Sequence, residues 1–242
     1  MNDSRGIVPI GDLAGSVTIN QPLVSVDVTP HEARVLAAHQ HESALKGIHE
    51  AGHTVIGAML GVRIKTADIG LRHSGETTLG LGDETEVAFS SVSQMDDRIV
   101  ITLAGLEAER HFLGELMDGG NSDFQYATTL CLDMAAAGME PDISVSFRAF
   151  GGYGSPPHPQ WLVDGVAQAA DKRMKAARER AAELVDRHAD KILAFARLLV
   201  AAPERRLSDD DLAQALRAVG IVPPASLQPV GGMRGTRRRR RG

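Results

Sequence analysis

The sequence predicts a mainly α-helical domain with one small β element. Alanine and leucine, which favour helices, dominate the second half of the chain. Residues 62–82 instead alternate, contain β-branched residues and are interrupted by glycine, which is typical of short strands or a hairpin. With 242 residues, 43% of them apolar, the chain is long enough to bury a hydrophobic core.

The first helices are expected after an N-terminal arm. Residues 1–28 mix glycine, proline and short β-branched runs, and we expect them to be partly extended or disordered. A helix is predicted to begin at Pro30, with Thr29 as its N-cap, and to break near residues 39–44. A second helix is predicted to end at Gly61, because its apolar residues keep a spacing of three or four up to that point. These apolar residues are Leu45, Ile48, Val55, Ile56 and Met59.

After the β element the pattern is helical again. A helix capped by Ser91 or Ser93 is predicted to run through the segment LAGLEAERHFLG. A turn and a further helix follow, and this helix is predicted to end at Gly138. Residues 139–160 are rich in glycine, proline and serine, so we expect a long loop there.

The remaining helices complete a domain that we expect to span residues 29–220. Residues 161–201 are dense in alanine, arginine, glutamate and leucine, and they predict a long amphipathic helix or a helix pair. A short final helix is predicted between Ser208, its cap, and Gly220, its stop. Residues 221–242 are expected to form a disordered, arginine-rich tail.

Composition excludes several classes of protein. The single cysteine, Cys131, cannot form an internal disulfide, which fits a reducing compartment. The N-terminus lacks the basic and apolar regions of a secretory signal, and no window approaches the ~18 apolar residues of a transmembrane helix. The sequence therefore predicts a soluble, cytoplasmic protein without a membrane span.

The net charge of −5 conceals an acidic body with a basic tail. Six arginines lie near the C-terminus, Arg234 and Arg237 to Arg241, so the rest of the chain is six units more negative than the whole. Such a run could bind nucleic acid, anionic lipid or an acidic partner. We favour a solvated tail without a specific partner, because charge runs are usually solvated.

The segment GIHEAGHTVIGAML, residues 47–60, carries the pattern H-E-x-x-H. Helix residues four apart share one face, so His49 and His53 can direct imidazole nitrogens at one metal ion. Glu50 lies one step round the helix, where its carboxylate can take a proton from a water on zinc and return it to a leaving amine. The segment therefore predicts a zinc peptidase site. The alternative, a polar patch of two histidines, is disfavoured by the apolar neighbours, because buried histidines need partners.

A catalytic zinc site needs a third protein ligand and an open position. The continuation H-x-x-G-x-x-H is absent, because the third and sixth residues after His53 are Ile56 and Met59. The remaining candidates are acids on following helices and two further histidines: Glu107, Glu109, Asp118, Asp123, His73 and His111. Side-chain chemistry alone does not choose among them.

Three segments resemble, in the same order, the FtsH-type AAA metalloproteases. They are HEAGH, LAGLEAERHFLGE, which is similar to the family's GGR-x-AEE segment ending in FGE, and GGNSDFQYAT, which is similar to the family's aspartate-bearing segment. The β segment and the closing helices are also similar to those of the family. The resemblance therefore covers residues 38–218, nearly the whole chain.

The resemblance implies a zinc-dependent endopeptidase that acts on polypeptides. It implies His49, His53 and Asp123 as zinc ligands and Glu50 as the general base. Asp123 would lie at the start of its helix, where its carboxylate would also cap free backbone N–H groups. Glu109 would have a supporting role near the site. The related proteases are homo-oligomers, so a homo-oligomer is a further expectation.

The sequence departs from the family in two respects. Leu106 stands where the family segment GGR has its arginine, and no P-loop sequence G-x-x-x-x-G-K-[ST] occurs. We therefore expect a stand-alone peptidase domain without its own ATPase, which acts on unfolded or flexible chains or with an ATPase or unfoldase in trans. The rival hypothesis is a non-hydrolytic adaptor that retains the fold. Glu50 argues against it, because a binding module does not need a general base.

Overall fold

The computed structural model describes residues 30–70, 76–79, 91–143, 145–147 and 158–222. The N-terminal arm, the proposed cap Thr29 and residues 223–242 of the arginine-rich tail lie outside these ranges, and what the sequence suggests about them stays a prediction. Of the first two residues of that predicted tail, which the structure describes, Ile221 is buried in the core. The proposed domain boundaries likewise stay predictions.

The described residues form six α-helices and a three-stranded sheet, which confirms the predicted fold class. The helices are α1 (Pro30–Met59), α2 (Val92–Leu113), α3 (Asn121–Ala136), α4 (Gln160–Arg187), α5 (Ala189–Ala201) and α6 (Asp209–Ala218). The strands are β1 (Ile64–Asp68), β2 (Glu76–Leu79) and β3 (Arg206–Ser208). A short 3₁₀ turn, Asp118–Gly120, leads directly into α3.

Helix α1 is continuous, so the predicted break near residues 39–44 is wrong. The segment contains neither glycine nor proline, and Glu42 forms an ion pair with Lys46 one turn later, with 2.6 Å between the charged atoms. Ser43 is buried and its hydroxyl accepts a hydrogen bond from the Arg205 guanidinium. Tertiary contacts therefore support a stretch whose local pattern is weak.

The predicted hairpin forms, and a third strand completes the sheet. Strand β1 is central and pairs antiparallel with β2 on one side and β3 on the other. The sequence did not predict β3, because three residues between two helices carry no recognisable alternation. Leu207 of β3 is buried, which ties the strand to the core.

The core lies where α1 packs against α2 and α5, and where α4 covers α2 and α3. Gly52 of α1 faces Ala104 of α2 so closely that a Cβ atom at Gly52 would lie 2.6 Å from the Ala104 carbonyl oxygen. This close approach requires glycine and brings the H-E-x-x-H turn of α1 against α2. Over residues 161–201 the sequence predicts one long helix or a helix pair, and the structure has the pair, α4 and α5, which are separated at His188.

Helix ends follow the sequence signals in most places. Ser91 caps α2 in a capping box, in which Ser91 Oγ accepts from Gln94 N–H at 3.2 Å and Gln94 Oε1 accepts from Ser91 N–H at 2.9 Å. Gly138 and Gly220 adopt left-handed φ angles just beyond α3 and α6. Ser208 precedes α6 but makes no capping hydrogen bond with its side chain. Each helix in the described part of the chain is too short or too polar to span a bilayer.

Candidate metal centre

His49, His53 and Asp123 meet at one point between α1 and α3. The Nε2 atoms of the two histidines are 3.0 Å apart, and Asp123 Oδ2 lies 2.9 Å from His49 Nε2 and 3.2 Å from His53 Nε2. Of the residues that the structure describes, these three form a His/Asp cluster that could hold a metal ion.

Both histidines have their other ring nitrogen engaged. His53 Nδ1 lies 2.7 Å from the Ile101 carbonyl oxygen, and His49 Nδ1 lies 2.7 Å from Glu109 Oε1. A carbonyl and a carboxylate accept hydrogen bonds, so both Nδ1 atoms carry the proton and, in neutral rings, both Nε2 atoms are acceptors. With Asp123 Oδ2, three acceptor atoms therefore face one another, an arrangement that a cation stabilises.

The donor set fits zinc. Histidine nitrogens and a carboxylate oxygen are ordinary zinc ligands, and three of them leave a fourth position open. Ligand atoms at the usual zinc distances are separated by roughly 3.3 Å in a tetrahedral site. The separations of 2.9, 3.0 and 3.2 Å found here are close to that value.

The electrostatics of the cluster favour positive charge. Burial alone would lower the pKa of His49, but hydrogen bonds to Asp123 and Glu109 and the nearby charge of Glu50 raise the pKa to about 10. Burial would raise the pKa of Asp123, but its hydrogen bonds to His49 and His53 outweigh this and lower the pKa well below its usual range. In the metal-free protein a proton supplies the positive charge, and a metal ion can replace it.

Glu109 lies behind His49. Its Oε1 atom accepts the His49 Nδ1–H bond, and its Oε2 atom accepts a hydrogen bond from the Met117 backbone N–H at 2.8 Å. The residue is only 3% exposed. Both carboxylate oxygens therefore have fixed partners, and the carboxylate fixes the tautomer of His49.

Glu50 follows His49 on α1 and is also buried, with 3% exposure. Its Oε2 atom accepts a hydrogen bond from the Thr77 hydroxyl at 2.6 Å. Thr77 belongs to β2, so the hairpin that follows α1 closes over the glutamate. No pattern in the sequence marks Thr77 as a site residue.

Glycines make room for the cluster. A Cβ atom at Gly105 of α2 would lie 2.5 Å from His53 Nε2 and 2.9 Å from His49 Cε1. A Cβ atom at Gly120, just before α3, would lie 2.2 Å from Leu106 Cδ2. Leu106, which stands in place of the arginine of the family segment, is buried and packs beneath the turn that leads to Asp123.

Asp123 lies in the first turn of α3, as expected, but the expected capping role is not observed. The N-cap of α3 is Gly120, which has no side chain to form a capping bond. The Asp123 carboxylate instead faces both histidines.

The other candidate ligands lie elsewhere. Glu107 is buried and forms an ion pair with Arg178, with 3.2 Å between Glu107 Oε1 and Arg178 Nε. His111 Nδ1 lies 3.6 Å from Asp186 Oδ1. His73 and the side chain of Asp118 are outside the described part of the chain. Cys131 is 1% exposed, and burial raises the pKa of its thiol to about 11, which fits a structural role.

The model of peptidase family M41 matches residues 36–213. The chain belongs to this family. The match covers most of the 242 residues and confirms the resemblance inferred from HEAGH and the two later segments.

Three relatives of the M41 chain are ATP-dependent zinc metalloproteases by name. FtsH 3 of Sphaerobacter thermophilus is 28% identical over 81% of this chain and 38% of its own length. FtsH of Ralstonia pickettii is 25% identical over 72% of this chain and 24% of its own length. FtsH of Protochlamydia amoebophila is 28% identical over 60% of this chain and 17% of its own length. The M41 chain therefore spans less than two fifths of the length of these relatives.

The prediction of zinc as the cofactor is confirmed at the level of the family. The relatives are named zinc metalloproteases, and the chain holds a His-His-Asp cluster of suitable chemistry.

The contacts around the cluster could not be predicted from the sequence. The Ile101 carbonyl and the Thr77 hydroxyl come from elements distant in sequence from their partners, and the Met117 N–H comes from the turn that follows α2, eight residues after Glu109. Gly105 could have been noticed, since a glycine inside a helix that packs on another helix often marks a close approach. No local signal marks the other three.

Proposed function

We propose that this chain is a zinc-dependent endopeptidase that hydrolyses peptide bonds of unfolded or flexible polypeptides. The observation that carries the proposal is the convergence of His49 Nε2, His53 Nε2 and Asp123 Oδ2 beside the buried carboxylate of Glu50. Membership of peptidase family M41 supports the same reaction class.

His49, His53 and Asp123 would hold the zinc ion. When bound, zinc lowers the pKa of a water toward 7 and polarises the peptide carbonyl as a Lewis acid. Ile101 and Glu109 hold the two imidazoles so that both Nε2 atoms point at the same place. This orientation is in place without rearrangement of α1, because both Nδ1 atoms are already hydrogen-bonded.

Glu50 is the proposed general base. It is adjacent to His49 on α1, and its carboxylate would accept a proton from the attacking water and pass it to the leaving amine. Glutamate suits this double role because the same carboxylate can hold the proton between the two transfers. Its burial excludes bulk water from the transfer.

Glu109 is proposed as a supporting residue rather than a ligand. Its contact with His49 Nδ1 raises the basicity of the imidazole and fixes its orientation. The carboxylate is held from its other side by the Met117 N–H, so it is not free to turn toward the metal position.

The substrate is proposed to be a polypeptide, as expected for a peptidase family. The relatives are named ATP-dependent, whereas the 242 residues of this chain contain no P-loop sequence. Hydrolysis without ATP, a cytoplasmic location, a homo-oligomer and a partner ATPase remain predictions.

The test is hydrolysis of a flexible protein substrate such as casein, with and without a chelator. We expect the wild type to cleave casein, the chelator to stop cleavage, and zinc to restore it. Glu50→Gln should keep its zinc and lose at least about a hundredfold in rate, because general base catalysis contributes on the order of 10²–10⁴. Cleavage by Glu50→Gln at the wild-type rate would contradict the role of Glu50. A wild type that binds zinc but cleaves nothing, with or without ATP, would favour the non-hydrolytic adaptor.

A further inference from the structure

We propose that Thr77 is a positioning residue for Glu50, and that its hydroxyl holds the carboxylate in the orientation needed for proton transfer. This inference rests on the proposed function of Glu50 as general base. It adds a residue of the β hairpin to a site otherwise built from helices.

The contact between the two residues is short and directional. Thr77 Oγ1 lies 2.6 Å from Glu50 Oε2, and a carboxylate only accepts, so the hydroxyl donates. Hydrogen bonds to an ionised acceptor are shorter and stronger than neutral ones. The bond joins β2 to α1 across 27 residues of sequence, so it exists only when the hairpin is folded onto the helix.

A second threonine fixes the direction of the Thr77 hydroxyl. Thr54 Oγ1 lies 3.3 Å from Thr77 Oγ1, and Thr54 is fully buried one turn after Glu50 on α1. Thr77 has one hydroxyl proton, and its contact with the Glu50 backbone oxygen is longer, at 3.3 Å, than the one with the carboxylate. The proton therefore goes to the carboxylate, and the Thr54 hydroxyl donates to Thr77. The result is a chain of donors from Thr54 to Thr77 to Glu50.

This arrangement matters because a glutamate side chain rotates freely unless it is held. A general base must remain within hydrogen-bonding reach of the proton that it takes, and restricting a long side chain costs conformational entropy. Thr77 engages one carboxylate oxygen, and proton transfer needs only the other. The fold thus restricts the Glu50 side chain before substrate binds, so less conformational entropy is lost during the reaction.

The test compares Thr77→Val, which keeps the shape but loses the hydroxyl, with Thr77→Ser, which keeps the hydroxyl. Thr66→Val is the matched control, because Thr66 is a partly buried threonine of the neighbouring strand β1. Zinc content, kcat and KM for a fluorogenic peptide are measured on all three variants and the wild type. Unfolding midpoints of the metal-free proteins are measured as well, with and without an added Glu50→Ala change.

We expect Thr77→Val to keep its zinc and to lose about tenfold in kcat, with little change in KM, because one charge-assisted hydrogen bond is lost. Thr77→Ser and Thr66→Val should stay within about threefold of the wild type. Thr77→Val should lower the unfolding midpoint by more when Glu50 is present than when alanine replaces it, because the two residues interact.

Three results would overturn the role of Thr77 in a wild type that is active. One is full activity of Thr77→Val, another is an equal loss in Thr77→Ser, and the third is an equal midpoint shift in both backgrounds. If the wild type itself cleaves nothing, the proposed function fails and the role of Thr77 in catalysis fails with it.

Discussion

His49 lies between two carboxylates, with Asp123 at its Nε2 atom and Glu109 at its Nδ1 atom. From the sequence, both acids were acceptable third ligands, because carboxylates on following helices have the same chemistry. The two acids differ in which nitrogen of the imidazole each one reaches. That depends on how α2 and α3 pack on α1, which side-chain chemistry does not determine.

Glu109→Gln should weaken zinc binding by roughly 10- to 100-fold, because it removes the charge that holds the His49 tautomer. Competition with a chelator of known affinity measures the change. Glu107→Gln is the matched control, since Glu107 is equally buried on α2 but pairs with Arg178. An equal loss of zinc affinity in the two variants would show that Glu109 acts only through general stability.

Zinc binding should release a proton at neutral and mildly alkaline pH. The pKa of His49 in the metal-free protein is raised to about 10, so the ring is protonated at pH 8, whereas the lowered pKa of Asp123 leaves that group ionised. Zinc must displace the His49 proton, so the apparent zinc affinity should rise about tenfold per pH unit between pH 7 and 9. Calorimetry in two buffers of different ionisation enthalpy measures the proton release. An affinity independent of pH over this range would contradict the prediction.

The raised pKa of His49 also has a consequence for stability without metal. The folded-state pKa of about 10 exceeds the ordinary value of 6.5. The stabilising contribution is therefore complete below pH 6.5 and is lost as the pH rises through about 10. A metal-free protein should unfold more readily at alkaline pH from this cause.

Secondary structure was predictable where the signal was local. The cap of α2 at Ser91, one of two predicted candidates, and the helical structure of residues 161–201 follow from neighbouring residues. The continuity of α1 and the strand β3 did not, because both depend on distant partners. Ser43 is fixed by Arg205, and Leu207 enters the core beside β1.

At Gly105, helix α2 packs so closely against the metal centre that there is no room for a side chain. Gly105→Ala should reduce the zinc content, because the added Cβ would lie 2.5 Å from His53 Nε2 and the ring cannot move without loss of its Ile101 hydrogen bond. We expect zinc affinity to fall by about tenfold or more, as for loss of an orienting contact. Elemental analysis and chelator competition measure it.

Gly165→Ala is the control for this change, since nothing lies within 4 Å of a Cβ atom at Gly165 of α4. It should leave zinc binding unchanged and raise the free energy of unfolding by up to about 1 kcal/mol, because alanine is the better helix former. Normal zinc affinity in Gly105→Ala would mean that α2 can shift away from His53 to accommodate the added methyl group, contrary to what the close packing indicates.

At the scale of the whole molecule, the metal centre depends on the packing of three helices. His49 and Asp123 are 74 residues apart, and α1, α2 and α3 must all pack correctly before their side chains meet. The H-E-x-x-H pattern was sufficient to predict two of the three cluster residues, because helix periodicity alone aligns them. The third required a resemblance between sequences, since no local pattern links α1 to the start of α3.

Zinc content and casein hydrolysis, measured on the same purified sample of wild type and Asp123→Ala, test the proposed centre directly. We predict about one zinc per wild-type chain, as for a three-ligand site, and hydrolysis that rises in proportion to zinc loading. Asp123→Ala should lose both together. Wild-type zinc content in Asp123→Ala, or hydrolysis independent of zinc, would contradict the assignment of His49, His53 and Asp123 as the catalytic metal site.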